Sequence, residues 1–152
     1  MEEYFYEIDL SWKSEKAGFL TSHGVDEIKV FSPLETPSEK KNQWTPEQLL
    51  GASVSSCFMT TFLEIAEKNN LEVISYQSQC FVKLEKKAEK FTTEEILIRP
   101  IVKLKNNSSF LLAQRCLDEA ETACPSRRAL KINIEIHPIF EYLNKAGKKT
   151  GT

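Results

Sequence analysis

The candidate chemical groups of this chain are its four cysteines, Cys57, Cys80, Cys116 and Cys124. In a cytosolic chain a thiol is structural, metal-binding or redox-active. Two of the four stand apart. Cys57 lies inside a long apolar segment, Leu49 to Asn70. Free cysteine is a common buried small hydrophobe, so a packing role stays open beside a nucleophilic one. Cys124 directly precedes Pro125, which forces it away from helical geometry. A thiol at such a helix end can be exposed, yet the C-terminal end of the dipole disfavours its anion. Arg127 and Arg128 follow closely and could favour that anion, with ordinary surface charge as the other reading. Cys80 alternates within a strand pattern and Cys116 lies on a helical face. Both read as packing residues.

Other chemistries find less support. No C-x-x-C occurs, and the histidines are His23 and His137, far apart in sequence. Zinc sites usually show a closely spaced ligand pair, so no metal is expected. Gly51-Ala52-Ser53-Val54-Ser55 looks superficially like a nucleophile elbow. It lacks the second glycine and lies in a helical pattern rather than at a strand-to-helix turn.

The elements that must position the thiols can be read from periodicity. Tyr4, Tyr6, Ile8, Leu10 and Trp12 alternate as a strand does. Glu15 to Gly18 supplies turn chemistry. Phe19 to Ser22 and Glu27 to Phe31 are two further short strands. Ser32 to Asn42 holds two prolines and reads as a loop. Thr45 then N-caps a helix, with Pro46 at its first position and Gln48 completing a capping box. That helix carries a wide apolar stripe through Leu50, Val54, Cys57, Phe58, Thr61, Phe62 and Ile65, so it should be buried. Leu71 to Leu84 and Thr92 to Lys105 read as long strands about a turn at Lys86 to Lys90. Pro100 cannot donate a ladder bond, which predicts a bulge or an edge position. Asn106 to Ser109 is a turn that can cap a second helix, with Phe110, Ala113, Leu117, Ala120 and Cys124 on one face. Lys131 to His137 is a last strand. The polar tail beyond it is expected to end in a short helix. The order is roughly β-β-β-α-β-β-α-β, an α+β fold with two buried central helices, read as one domain over residues 1–152.

Composition narrows the classes. With 20 basic and 22 acidic residues and no basic stripe, nucleic acid is not an expected partner. The N-terminus lacks the features of a signal peptide, and no apolar run is expected to reach the ~18 residues of a membrane span. A cytoplasmic protein with no membrane partner is the expectation.

Two segments carry a family resemblance. Pro46-Glu47-Gln48-Leu49-Leu50 through Ser56-Cys57-Phe58, then Ala123-Cys124-Pro125-Ser126, resembles the OsmC/Ohr family, the osmotically induced protein C and organic hydroperoxide resistance proteins. The cysteine stands ten residues after the glutamate, and the second cysteine precedes a proline at the end of a later helix. The order of elements agrees as well. The resemblance implies an OsmC-like fold and an intertwined homodimer with its active site at the subunit interface. It implies a peroxidatic Cys57 and a resolving Cys124, acting on organic hydroperoxides or hydrogen peroxide in oxidative or osmotic stress defence. It implies no cofactor, and a dithiol or a lipoylated protein as reductant.

The family pattern also places an arginine in the N-terminal half, held by the glutamate that Glu47 matches. Ten helical residues span about 15 Å, so Glu47 would serve the Cys57 of a partner subunit rather than its own. A favourable charge at a helix N-terminus is the other reading of Glu47. The arginine is missing: Arg99 is the first in the chain. Lys13, Lys16, Lys40 and Lys41 are the upstream cations, and lysine offers a point charge instead of a bidentate fork. Two alternatives to the peroxidase stay open. One is a binding module of the same fold, with Trp44, Phe58, Phe62 and the aromatic N-terminal strand lining a pocket for a small hydrophobic ligand. The other is a structural or regulatory stress protein.

Overall fold

The computed structural model describes residues 1–32 and 42–143. Lys40, Lys41, most of the Ser32–Asn42 loop and the end of the tail, where a short helix was expected, lie outside the described residues. The contacts fall into two compact units, Met1–Leu50 and Gly51–Thr152.

In the first unit, strands β1 (Asp9–Ser14), β2 (Ala17–Thr21) and β3 (Ile28–Phe31) form an antiparallel meander. The strand expected from Tyr4 begins only at Asp9. Its register shifts between Trp12 and Ser14, so Lys13 sits in a bulge. Gly18 is needed where it stands: a Cβ there would come within 2.8 Å of the Ser11 carbonyl oxygen. The first helix, α1 (Pro46–Lys68), starts as its capping box dictates. Gln48 N–H donates to Thr45 Oγ1 at 3.2 Å, and Thr45 N–H donates to Gln48 Oε1 at 2.9 Å.

In the second unit, β4 (Val73–Lys87) and β5 (Lys90–Leu104) form a long antiparallel hairpin. Its two-residue turn, Ala88 and Glu89, has φ of 47° and 65°. Both residues are therefore left-handed, as the right-handed twist of a hairpin favours. A short 3₁₀ turn at Asn107–Ser109 leads into α2 (Phe110–Ala123). Two elements were not expected: α3 (Pro125–Ala129) and β7 (Ile139–Tyr142), which follows β6 (Asn133–Ile136). Both β6 and β7 lie parallel to β5.

The core follows the apolar alternation of β5. Ile96, Ile98, Val102 and Leu104 are all fully buried, with Val54, Phe58 and Phe62 of α1 and Ala113, Leu117 and Ala120 of α2. Contrary to expectation, Pro100 is neither at an edge nor in a bulge. It is fully buried in the central strand of the sheet, paired with Ser78. The reason is its parity. The carbonyls of Ile98 and Leu104 accept from His137 and Leu143, so even-numbered residues of β5 turn their polar atoms toward β6 and β7. Pro100 points its nitrogen the same way, at the break between β6, which pairs up to Ile98, and β7, which begins at Ile101. No ladder donor is required there.

The absence of a span-length apolar run also needs correcting. By length and composition, α1 is long and apolar enough to cross a membrane, with mean hydropathy 1.4 over its best window. In this fold it carries the core face just described.

Candidate functional site

The site is built at the junction of α1, α2 and α3. Cys57 sits in the fourth turn of α1, on the flank of its buried stripe, and is half-buried. Cys124 ends α2 and is fully buried. The proline forces the local geometry: Cys124 has φ −60° and ψ 114°, an extended residue between two helices. It is at once the C-cap of α2 and the N-cap of α3. The unfavourable C-terminal setting expected for this thiol is thus only half of its surroundings, because a new helix opens beyond it.

The structure brings the two thiols together. Burial alone would raise the Cys57 thiol. The polar groups of Ser126, Cys124 and Thr61 nearby outweigh it, and the net effect sets Cys57 below the ordinary cysteine range. The Thr61 contact is the weakest, since its single hydroxyl proton also donates to the Cys57 carbonyl at 2.8 Å. Cys124 goes the other way. Burial pushes its thiol up, and the Arg127 N–H opposes that. The hydrogen bond it gives to Cys57, and the charge of a Cys57 thiolate, raise it further. The two thiols therefore shift apart, the half-buried Cys57 downward and the sealed Cys124 upward. No disulfide joins them.

Arg127 is more than surface charge. Its Nη2 pairs with Glu121 Oε1 at 2.8 Å and donates to the Ile134 carbonyl at 3.4 Å. Its Nη1 donates to the Glu121 carbonyl at 3.3 Å. The guanidinium thus ties α3 to α2 and β6, and its own N–H meets the Cys124 sulfur. It holds the turn after Cys124 in place.

The other expected site residue, Glu47, lies in the first turn of α1, ten residues before Cys57. Cys80 and Cys116 are packing residues, as expected. Cys80 is half-buried, and Cys116 is fully buried on α2. Of the aromatic rings offered as a pocket lining, the two on α1 are spent elsewhere, while Trp44 and those of the N-terminal strand are exposed. Phe58 and Phe62 are core residues, and Phe62 stacks against Tyr76 with centroids 5.8 Å apart. In the first unit a cavity of about 240 Å³ is lined by Lys13, Phe19, Lys29 and Gln43 among others, and none of those expected rings lines it. Ser126, which sequence reasoning did not single out as a site residue, is the largest influence opposing burial at Cys57. A serine after a proline carries no spacing signal.

Comparisons with known proteins bear on the family and the fold. Residues 38–138 match the family model described as OsmC-like protein. The chain is 25% identical to the Bacillus subtilis protein YmaD over 144 residues, covering 90% of this chain and 93% of that one. It is 28% identical to organic hydroperoxide resistance protein-like 1 of Staphylococcus saprophyticus over 110 residues, covering 72% and 76%. The structure of an OsmC-like protein from Vibrio cholerae superposes with a TM-score of 0.80 at 21% identity, covering 90% of this chain and all of that one. With the family model matched across both cysteine motifs and the same fold in its structural neighbours, the chain belongs to the OsmC/Ohr family of OsmC-like proteins.

Proposed function

We propose that this protein is a cysteine-based thiol peroxidase that reduces organic hydroperoxides or hydrogen peroxide. The observation that carries this reading is the pairing of a half-buried Cys57 with a sealed Cys124 beside it. The name of the staphylococcal relative, a protein of organic hydroperoxide resistance, agrees with it.

The chemistry balances on the two thiols. The Cys57 thiolate attacks the distal oxygen of the hydroperoxide. An S–O bond forms, the O–O bond breaks, and the leaving alkoxide takes up a proton as an alcohol. Cys57 is now a sulfenic acid, oxidised by two electrons. The Cys124 sulfur attacks it, an S–S bond forms and water leaves. An external dithiol of the cytoplasm then reduces the disulfide by exchange. The neighbouring resolving thiol matters because a sulfenic acid left alone oxidises further and irreversibly.

The working unit in this reading is a homodimer. Tyr4, Tyr6, Ile8, Leu10 and Trp12 are between 62% and 86% exposed, an apolar row that a lone chain leaves in water. A second copy of the chain would cover it. Glu47 would then act on the partner's site, at the start of a helix whose fourth turn bears the thiol.

The test is consumption of cumene hydroperoxide with dithiothreitol as reductant. Wild type is expected to turn over and Cys57→Ser to lose that activity. Wild type no faster than Cys57→Ser would reject the peroxidase.

A further inference from the structure

The sheet of the first unit holds polar side chains that its own fold does not use. Phe19 of β2 and Lys29 of β3 are direct cross-strand partners, so their side chains share one face of the sheet. The bulge in β1 releases Lys13 from the alternation of its strand, and its Nζ reaches over the same Phe19 ring, 4.9 Å from the centroid. Both lysines line the cavity of about 240 Å³, and Ser14 adds a hydroxyl to the lining. Among the described residues no carboxylate lines this cavity, and neither lysine is ion-paired. Gln43 completes the wall. It is held alongside β3 by its neighbour, because Trp44 N–H donates to the Lys29 carbonyl at 2.8 Å. The Gln43 side-chain oxygen is buried with no donor among the described residues. A buried acceptor left unpaired is costly unless an occupant supplies the proton.

We propose that this cavity is a binding site for a small oxyanion, a molecule bearing a phosphate or carboxylate group, recognised by Lys13 and Lys29. Two ammonium groups with no carboxylate among them favour negative charge in the space they line. The volume lies below the ~300–1,000 Å³ of drug-sized sites, so the occupant is small. An oxyanion that also carries an O–H, as hydrogen phosphate does, brings the proton that the Gln43 oxygen lacks. The site is independent of the peroxidase reading and of the homodimer. Leu10, Leu20 and Ile28 pair across the three strands one position away from Ser11, Phe19 and Lys29, so they face the other side of the sheet. Leu10 belongs to the exposed apolar row. A second copy that covers that row leaves the cavity face open.

The experiment titrates the isotope-labelled full-length protein near neutral pH with sodium phosphate and, in a second series, with sodium acetate. Sodium chloride at matched ionic strength controls for screening. The backbone amide resonances of Ala17, Gly18 and Phe19 are followed by NMR. At least one of the two oxyanions is expected to move them along a saturating curve, and chloride is not. Lys13→Gln and Lys29→Gln should each weaken binding by about fivefold, and the double variant should lose saturation. Both side chains are exposed, so these substitutions leave the sheet intact. Lys90→Gln, in the hairpin of the second unit, should bind like wild type. The tighter of the two anions identifies the group that the site prefers. Shifts no different from those in chloride would overturn the proposal, and so would wild-type affinity in the double variant.

Discussion

Cys124, between α2 and α3, neighbours Cys57 of α1, and the two thiols act on each other in opposite senses: Cys124 helps to lower the first thiol of the proposed cycle, and Cys57 helps to raise the second. The two shifts have a common origin, so they must change together. Removing the donor with Cys124→Ala should move Cys57 titration upward. Removing the acceptor with Cys57→Ala should move Cys124 titration downward, although burial keeps it above an ordinary cysteine. Each shift should change alkylation at pH 7.5 by roughly threefold to tenfold, in opposite directions. Residue-resolved alkylation across pH checks it. Shifts of the same sign would break the pairing.

In the proposed cycle, Cys124→Ser keeps a hydroxyl donor at the junction but cannot resolve a sulfenic acid. The variant should complete one half-reaction and stop. A carbon-acid probe of the dimedone type should label Cys57 stoichiometrically after one equivalent of hydroperoxide, and hardly label wild type. Excess peroxide should then convert the variant to the sulfinic acid, seen as a mass gain of two oxygens.

Gly51 meets β4 where α1 packs closest. A Cβ there would lie 2.8 Å from Val82 Cγ2 and 3.2 Å from Cys80 Sγ. Gly51→Ala gains about 1 kcal/mol of helix propensity. Overpacking against a stiff β-branched side chain costs about 1–3 kcal/mol. The clash should win by about 1 kcal/mol in urea unfolding. Adding Val82→Ala should relieve that clash, so Gly51→Ala should be less costly in the Val82→Ala background. Additive effects of the two substitutions would show that the contact does not matter.

The homodimer reading predicts that wild type sediments at twice the chain mass. A charge placed in the exposed row, Leu10→Glu or Trp12→Glu, should shift the equilibrium to monomer at micromolar concentration. If the row is free in solution, neither substitution will change the sedimentation coefficient.

Much of this fold could be read along the chain because its signals are local. The capping box at Thr45 and Gln48 formed as reciprocal hydrogen bonds. The alternation of Ile96, Ile98, Val102 and Leu104 became the buried face of β5. What failed depended on neighbours distant in sequence. Pro100 looked like an edge residue because the break between β6 and β7 cannot be seen from β5. Ile139–Tyr142 was merged into a polar tail because four residues hold too little periodicity. The α3 turn, only five residues long, was hidden behind a proline that correctly ended α2. The thiol pair was found through motif spacing. Ser126 was not, because its partner lies 69 positions back on another helix.

The burial of Cys124 gives the pair a direction of approach. If a disulfide forms between these residues, a reductant arriving from solvent meets only the Cys57 side of it. The mixed disulfide should form on Cys57, and Cys124 should depart as the leaving group. A departing sulfur with a raised proton affinity leaves slowly, so closing the cycle, rather than opening it, should govern turnover. The hydroperoxide and the reductant would then enter by one door and in strict alternation, with the sealed cysteine as the fixed wall behind it.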